Sequence, residues 1–134
     1  MKGVTKYMIK EYGVTQLGID FMGYKLQKGD IYTFHHLIIP NRQGGPYAVW
    51  NGAILCGKSS HPYLHLIEAK DYDMFCAISS EMIDMNIKGH IDLENIRYID
   101  DCLTDFEREY SGKTTSKGKP LIKEAYLHRN KFMI

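Results

Sequence analysis

The first half of the chain contains two apolar runs with the composition of strands. Residues 31–39 are rich in β-branched and aromatic side chains, and a second apolar run covers residues 53–56. Pro40 ends regular pairing after the first run, and residues 41–46 carry the Asn, Gly and Pro of a loop. The pattern therefore predicts two antiparallel strands joined by a long loop.

Helical spacing follows the second strand. Ser59 and Ser60 are residue types that cap helices, and Pro62 is tolerated in a first turn, so a helix is predicted to run towards Ala69. Beyond it, two stripes of apolar residues recur at spacings of three and four, which predicts a pair of antiparallel amphipathic helices. The first ends at Lys88-Gly89, and Asp92 is expected to cap the second. The stripes are Phe75, Ile78, Met82 and Met85, then Ile96, Ile99, Leu103 and Phe106.

The two ends of the chain carry weaker patterns. Residues 4–12 form a short amphipathic stretch, in which Tyr7, Met8 and Tyr12 are set against lysines, and Gly13 follows, which predicts a short helix ending there. Residues 18–24 are expected to form an irregular or extended connection. Residues 111–120 are polar and basic, typical of a mobile linker, and residues 121–127 are predicted to pack back onto the body.

Length and cysteine content suggest an ordinary globular protein. The 134 residues are enough for a single domain, 1–134, with its own apolar core. The three cysteines are irregularly spaced and odd in number, which argues against a disulfide framework and for a reducing compartment. No leader pattern or apolar run long enough to span a membrane is present. We therefore expect a soluble, cytoplasmic protein without a membrane partner.

Charge is unevenly distributed along the chain. Residues 1–67 hold seven Lys/Arg against three Asp/Glu, residues 68–112 hold four against twelve, and residues 113–134 hold six against one. Nucleic acid would be attracted to the two ends and repelled by the acidic middle. Solvated helix faces explain the same distribution equally well.

Four of the six histidines fall within residues 34–65. His61 and His65 lie four apart on a predicted helix, so both rings project from one face and can share a metal ion. His35 and His36 are adjacent on a predicted strand, so one ring can bind the ion while the other faces a substrate. Either pair alone is more typical of surface or hydrogen-bonded histidine. Their combination indicates a metal site.

This combination resembles the HNH family of nucleases, also called the ββα-metal fold. The resemblance covers about a quarter of the chain and implies an α+β fold with a small ββα-metal unit over about residues 31–70. The helical pair would cover about residues 71–110 and a basic C-terminal tail residues 111–134. The matching motifs are Phe34-His35-His36-Leu37-Ile38-Ile39-Pro40, the Gly44-Gly45 turn, Asn51 opening the second strand, and His61-Pro62-Tyr63-Leu64-His65.

The resemblance also implies a role for each matching residue. His36 would be the general base that takes a proton from the attacking water, and Asn51 would hold the long loop, and thereby His36, through side-chain to backbone hydrogen bonds. His35, His61 and His65 would bind one divalent metal ion. Many members carry Asp at the position of His35. A site made of imidazoles favours zinc, nickel, cobalt or manganese over magnesium, although the ion that supports turnover stays open among zinc, nickel, manganese and magnesium.

Other residues near the motif have simpler expected roles. Arg42 and Lys58 are placed to contact DNA phosphates. A solvated surface cation is the alternative for each, and for Lys58 taken alone it is the preferred interpretation. Cys56 has no second cysteine in a Cys-x2-Cys spacing, so we expect no structural zinc and a buried thiol. Trp50 and Tyr63 are expected to pack the small strand and helix unit.

The sequence therefore predicts a metal-dependent endonuclease that hydrolyses DNA by a one-metal mechanism, similar to small nucleases of phages and mobile elements. One alternative is a non-catalytic, metal-stabilised DNA-binding module of the same fold. A second is that the histidines are incidental and the helical pair is a surface for protein interaction. A homodimer through the helical pair is also expected.

Overall fold

The structure, a computed structural model, describes residues 2–129 and combines α-helices with one small sheet. Within that range five α-helices surround a two-stranded antiparallel sheet, which confirms the predicted mixture of α and β elements. Three short 3-10 turns lie between or after them. In chain order the elements are α1 (Gly3–Glu11), α2 (Val14–Leu17), β1 (Tyr32–His36), β2 (Gly52–Cys56), α3 (Ser60–Lys70), α4 (Tyr72–Lys88) and α5 (Leu93–Tyr110).

The sheet is shorter than the sequence predicts. Strand β1 pairs with β2 from Tyr32 opposite Cys56 to His36 opposite Gly52, whereas the apolar run continues to residue 39. The strand ends early because the Asn51 side chain accepts hydrogen bonds from the next backbone amides that a longer strand would pair. Its Oδ1 lies 2.9 Å from the nitrogen of Ile38 and 2.8 Å from that of Ile39.

Helix α3 begins without the predicted serine cap. Ser59 stands at the N-cap position and makes no side-chain capping hydrogen bond, so that prediction is wrong. The Ser60 hydroxyl bonds instead to neighbouring elements: it accepts from the Cys56 backbone N–H at 2.9 Å and donates to the Asp20 carboxylate. Helix α3 is therefore fixed at its start by tertiary contacts rather than by a local cap.

The helical pair has the predicted form. The Asp92 carboxylate accepts from the Glu94 amide at 2.9 Å and caps α5, as expected, while Asp71 caps α4 through the Met74 amide at 3.1 Å. Helix α4 packs against both α3 and α5. The apolar stripes that predicted the pair are buried inside this chain, so they do not themselves offer a surface for a homodimer.

A buried carboxylate joins the early part of the chain to the sheet. Asp20 is fully buried, and its Oδ1 accepts from the amides of Met22 and Tyr24 at 2.8 and 2.9 Å. Its Oδ2 accepts from the Cys56 amide at 2.9 Å and from the Ser60 hydroxyl. Burial raises the pKa of Asp20 above its ordinary value, and these four donors oppose that rise. The segment 18–24 is irregular, as predicted, because this side chain organises it.

The segment after α5 is more ordered than a mobile linker. A bridge joins Thr114 to Pro120, and the Thr115 amide donates to the Lys119 carbonyl at 2.7 Å. The sequence suggested mobility because the segment is polar and basic. Backbone hydrogen bonds within residues 113–121 close it into a turn instead.

The C-terminal segment packs onto the body, as predicted. The ring of Tyr126 stacks on that of Tyr63 with centroids 4.8 Å apart. Arg129 is buried and donates to Asp100 at 2.5 Å and to Glu107 at 2.6 Å, both on α5. Within the described residues this end of the chain therefore contributes to the core.

Side-chain packing around the sheet follows the prediction except at Trp50. Tyr63, Leu55, Leu64 and Cys56 are fully buried, whereas Trp50 is 50% exposed and contributes little to the core. Across residues 2–129, none of the helices has the length and apolar character needed to cross a bilayer.

Candidate metal centre

Three histidines from two elements converge on one point. His35 projects from β1, while His61 and His65 project from the first two turns of α3. One ring nitrogen from each can be chosen so that the three lie within 4.8 Å of one another. The i, i+4 spacing on α3 gives a ring-centroid distance of 5.1 Å between His61 and His65, and His35 lies 5.2 and 5.4 Å from them. The structure thus brings the predicted ligands close enough to bind an ion.

The Thr33 hydroxyl supports one tautomer of His61. It lies 2.9 Å from the Leu55 carbonyl oxygen, to which it can donate, and 2.7 Å from His61 Nδ1. When the hydroxyl donates to Leu55, it accepts a hydrogen bond from the Nδ1–H of His61. In that tautomer the lone pair on Nε2 is available to bind a metal ion.

A carboxylate partners His65 in a similar way. Glu68 Oε1 lies 3.2 Å from His65 Nδ1, and a carboxylate accepts from that nitrogen. Hydrogen bonding at Nδ1 again leaves Nε2 for the metal. A carboxylate or hydroxyl behind a ligating imidazole fixes its tautomer and orientation, which is the usual arrangement around protein-bound metals.

His35 is the most deeply placed of the three ligands. Its side chain is buried, and Nε2 has no hydrogen-bond partner among the described residues. Burial, followed by the nearby His61, His65 and His36, lowers the pKa of His35 to about 3. Burial, followed by the nearby His65 and His36, lowers the pKa of His61 to about 4. Both rings are neutral at pH 7, the state in which imidazole binds metal.

These observations agree with a transition-metal site. A buried polar nitrogen without a partner is costly in a folded protein, and a bound ion would satisfy it. Three neutral imidazoles suit zinc, copper, iron or nickel better than the oxygen-preferring magnesium. The residues present therefore fit a divalent ion held by His35, His61 and His65.

His36 lies beside this centre without joining it. Its ring packs edge-on to Tyr47 at 4.7 Å and to Phe34 at 5.0 Å. Its Nε2 is buried and has no hydrogen-bond partner within residues 2–129. Gly52 lies opposite His36 on β2, where a Cβ atom would come within 2.1 Å of the Phe34 ring. Glycine at this position is what allows Phe34 to support His36.

Asn51 binds the loop that follows His36. Besides accepting from the two amides of the loop, its Nδ2 donates to the carbonyls of Ile39 and Pro46 at 3.0 and 3.1 Å. The fully buried amide therefore makes four hydrogen bonds to the loop backbone. This is the side-chain to backbone bracing predicted for Asn51.

A cleft of about 490 Å³ opens over the histidines. Arg42 lines it from the loop between the strands. Lys58 is exposed in the turn after β2 and is not one of the lining residues. The cleft is lined by Phe34, His35, His36, Leu37, Ile38, Pro40, Asn41, Arg42, Tyr47, His61, His65, Glu68, Tyr72 and Phe75.

Sequence reasoning missed three residues that support the site. Thr33 is two positions before His35 and so lies on the same face of the strand, a signal that was available. Glu68 is three positions after His65 on α3, a spacing at which side chains meet. Tyr47 lies in the long loop, where no period indicates which side chain turns towards His36.

Comparison with known proteins adds no relative. Neither the protein-family models, nor the curated proteins, nor the solved structures contain a match to this chain. The function must therefore be argued from the residues of the cleft.

Proposed function

We propose that this protein is a metal-dependent endonuclease that hydrolyses phosphodiester bonds of DNA. The observation that carries the proposal is the convergence of His35, His61 and His65 in a cleft that also holds the unligated His36. A metal site beside a histidine that is free of it has the two components needed for one-metal hydrolysis, an ion and a general base.

The metal centre would be formed by Nε2 of each of the three histidines. When bound, the ion would stabilise the negative charge that develops on the scissile phosphate and on the leaving 3′ oxygen. Thr33 and Glu68 orient His61 and His65 for this task. Arg42 would bind a phosphate oxygen and hold the strand in place.

His36 would act as the base. It would take a proton from the water that attacks phosphorus, as the bond from phosphorus to the leaving 3′ oxygen breaks. Packing between Phe34 and Tyr47 holds the ring, and Asn51 fixes the loop that follows it. These contacts keep His36 in the cleft while leaving it outside the ligand set.

The order of elements around the site supports the same proposal. Strand β1, a long loop, strand β2 and helix α3 follow one another, and the ligands come from the first strand and the helix. This is the order expected of a ββα-metal unit, with α4 and α5 packed behind it. We propose that residues 31–70 form such a unit.

A plasmid-cleavage assay tests the proposal. Purified protein would be incubated with supercoiled plasmid and zinc, nickel, cobalt, manganese or magnesium, beside the variant His36→Ala. We expect nicked or linear product with at least one ion and a loss of about 100-fold or more in His36→Ala, since general-base catalysis typically contributes that much. Metal binding should be unchanged in the variant.

Two results would contradict the proposal. Cleavage by His36→Ala at the wild-type rate would remove His36 as the base. DNA binding that weakens steeply with salt, without product under any of the ions, would favour the non-catalytic DNA-binding module instead.

A further inference from the structure

Helix α1 carries a row of exposed lysines that the metal centre does not use. Lys2, Lys6 and Lys10 are spaced four residues apart and all three are exposed. We call these three residues the lysine ridge. Successive members lie about 6 Å apart along the helix axis. The opposite side of α1 is anchored by the buried Thr5 and Met8.

The ridge has no internal charge partner. Among the described residues, none of its three lysines lies within ion-pair distance of a carboxylate, whereas Lys88 pairs with both Asp84 and Asp92. Lys2 occupies the N-cap position, and the first turn of α1 has no acidic residue. A cation at that end is unfavourable for the helix dipole, so helix stability alone does not explain the ridge.

One end of the ridge reaches the cleft. The Lys2 ammonium lies over the Tyr47 ring, 4.5 Å from its centroid. Tyr47 in turn lines the cleft and contacts His36 with ring centroids 4.7 Å apart. The ridge is thus continuous with the wall of the cleft on the side of His36.

We infer that the lysine ridge binds the phosphate backbone of the nucleic acid whose scissile phosphate enters the cleft. The inference rests on the proposed function. DNA presents a phosphate about every 3.4 Å along each strand, so lysines about 6 Å apart can each bind a separate phosphate. The acidic segment from Glu68 to Gly112 would repel the same strand, whereas α1 offers a basic path that leads to the cleft.

The salt dependence of DNA binding tests the inference without turnover. Affinity of a short duplex would be measured with chelator present over a range of salt, for the wild type and for Lys6→Ala/Lys10→Ala. Each lost phosphate contact should reduce the slope of log affinity against log salt by about 0.9, so we expect a reduction of about 1.8. The variant Lys6→Arg/Lys10→Arg should restore the slope, and metal binding should match the wild type in both.

A matched control separates local contact from net charge. Arg97 and Arg108 are exposed on the acidic helix α5, so Arg97→Ala/Arg108→Ala removes the same charge and should keep a slope close to the wild type. An unchanged slope in Lys6→Ala/Lys10→Ala, or an equal reduction in the control, would overturn the inference. So would a ridge that supports binding to anionic phosphatidylserine vesicles but not to DNA.

The two proposals can fail separately. If the wild type cleaves plasmid and the ridge variant keeps the wild-type slope, only the ridge is refuted. If the ridge variant loses the expected slope but the wild type yields no product with any ion, the ridge stands as part of a DNA-binding module and the nuclease proposal fails.

Discussion

At the residue scale, the proposed metal centre depends on side chains that contact the three clustered histidines. The Thr33 hydroxyl lies 2.7 Å from Nδ1 of His61, and the Glu68 carboxylate lies 3.2 Å from Nδ1 of His65 and can accept from it. Each contacts Nδ1 of a histidine and thereby favours Nε2 as the nitrogen that faces the site. Contacts of this kind typically change metal affinity by 10- to 100-fold.

The variant Thr33→Val tests this support. Valine matches the shape of threonine and favours a strand, so the sheet should be retained while the hydrogen bond to His61 is lost. We expect metal affinity to fall about 10-fold or more, measured by calorimetric titration with zinc. Thr33→Ser keeps the hydroxyl and should bind as the wild type does. Equal affinity in all three proteins would mean that Thr33 does not orient His61.

Residue types and spacing predicted the cluster of His35, His61 and His65 but not the residues around it. The i, i+4 pair on α3 and the adjacent pair on β1 are visible in the sequence, so the proximity of the four histidines could be predicted. Asp20 shows the limit. It lies between Ile19 and Phe21 in a segment without a regular period, and its four hydrogen-bond donors include Cys56 and Ser60, which are distant in sequence.

At the scale of elements, the loop between β1 and β2 lines the cleft beside His36. The Asn51 side chain makes four hydrogen bonds to the backbone of this loop. Within the loop, the Gly45 amide donates to the Pro40 carbonyl at 2.9 Å. A Cβ on Gly45 would lie 1.9 Å from the Ile39 carbonyl oxygen. Backbone would have to move to accept any side chain there.

The variants Gly45→Ala and Gly44→Ala test the loop. We expect Gly45→Ala to lower the free energy of unfolding by about 2–3 kcal/mol, since a backbone atom must shift. Gly44 has a φ of 79° and open space around its Cβ position, so Gly44→Ala should cost only about 1 kcal/mol. Urea unfolding would measure both. A Gly45→Ala variant no less stable than Gly44→Ala would contradict the packing described for the loop.

The long helices with regular apolar spacing could be predicted from the sequence, whereas positions at which tertiary contacts change the local structure could not. The apolar spacing predicts helices α4 and α5, and Asp92 predicts the start of α5. Strand β1 continues in composition to residue 39, but the Asn51 side chain takes the amides that would extend it. Trp50 has the composition of a core residue and remains half exposed, because the neighbouring Asn51 rather than Trp50 turns inward.

At the scale of the whole molecule, buried histidines couple stability to pH. The pKa values of His35 and His61 are about 3 and about 4 in the folded, metal-free protein, against 6.5 for ordinary histidine. As pH falls below 6.5, the unfolded chain therefore binds two protons that the folded chain does not. The stability present above pH 6.5 is lost as pH falls towards these folded pKa values.

This linkage predicts how steeply the free energy of unfolding depends on pH, and replacing one histidine should reduce that slope. Near pH 5, the free energy of unfolding should fall by about 2.7 kcal/mol for each unit by which the pH is lowered, because each of the two histidines binds one proton on unfolding. His61→Asn should remove about half of that slope. Urea unfolding of chelator-treated protein at several pH values would measure it. The same slope in the wild type and in His61→Asn would show that His61 is protonated in the fold.

The central claim is that one ion, held by His35, His61 and His65, serves a hydrolysis in which His36 is the base. The most direct test is a single titration of metal-free protein with the most active ion, following bound ion and plasmid cleavage together. We predict that cleavage rises with metal occupancy and reaches its maximum at one ion per chain. His36→Ala should bind the same single ion and cleave about 100-fold more slowly, or slower still. Cleavage by metal-free protein, or a fully occupied site that gives no product with intact His36, would contradict the claim.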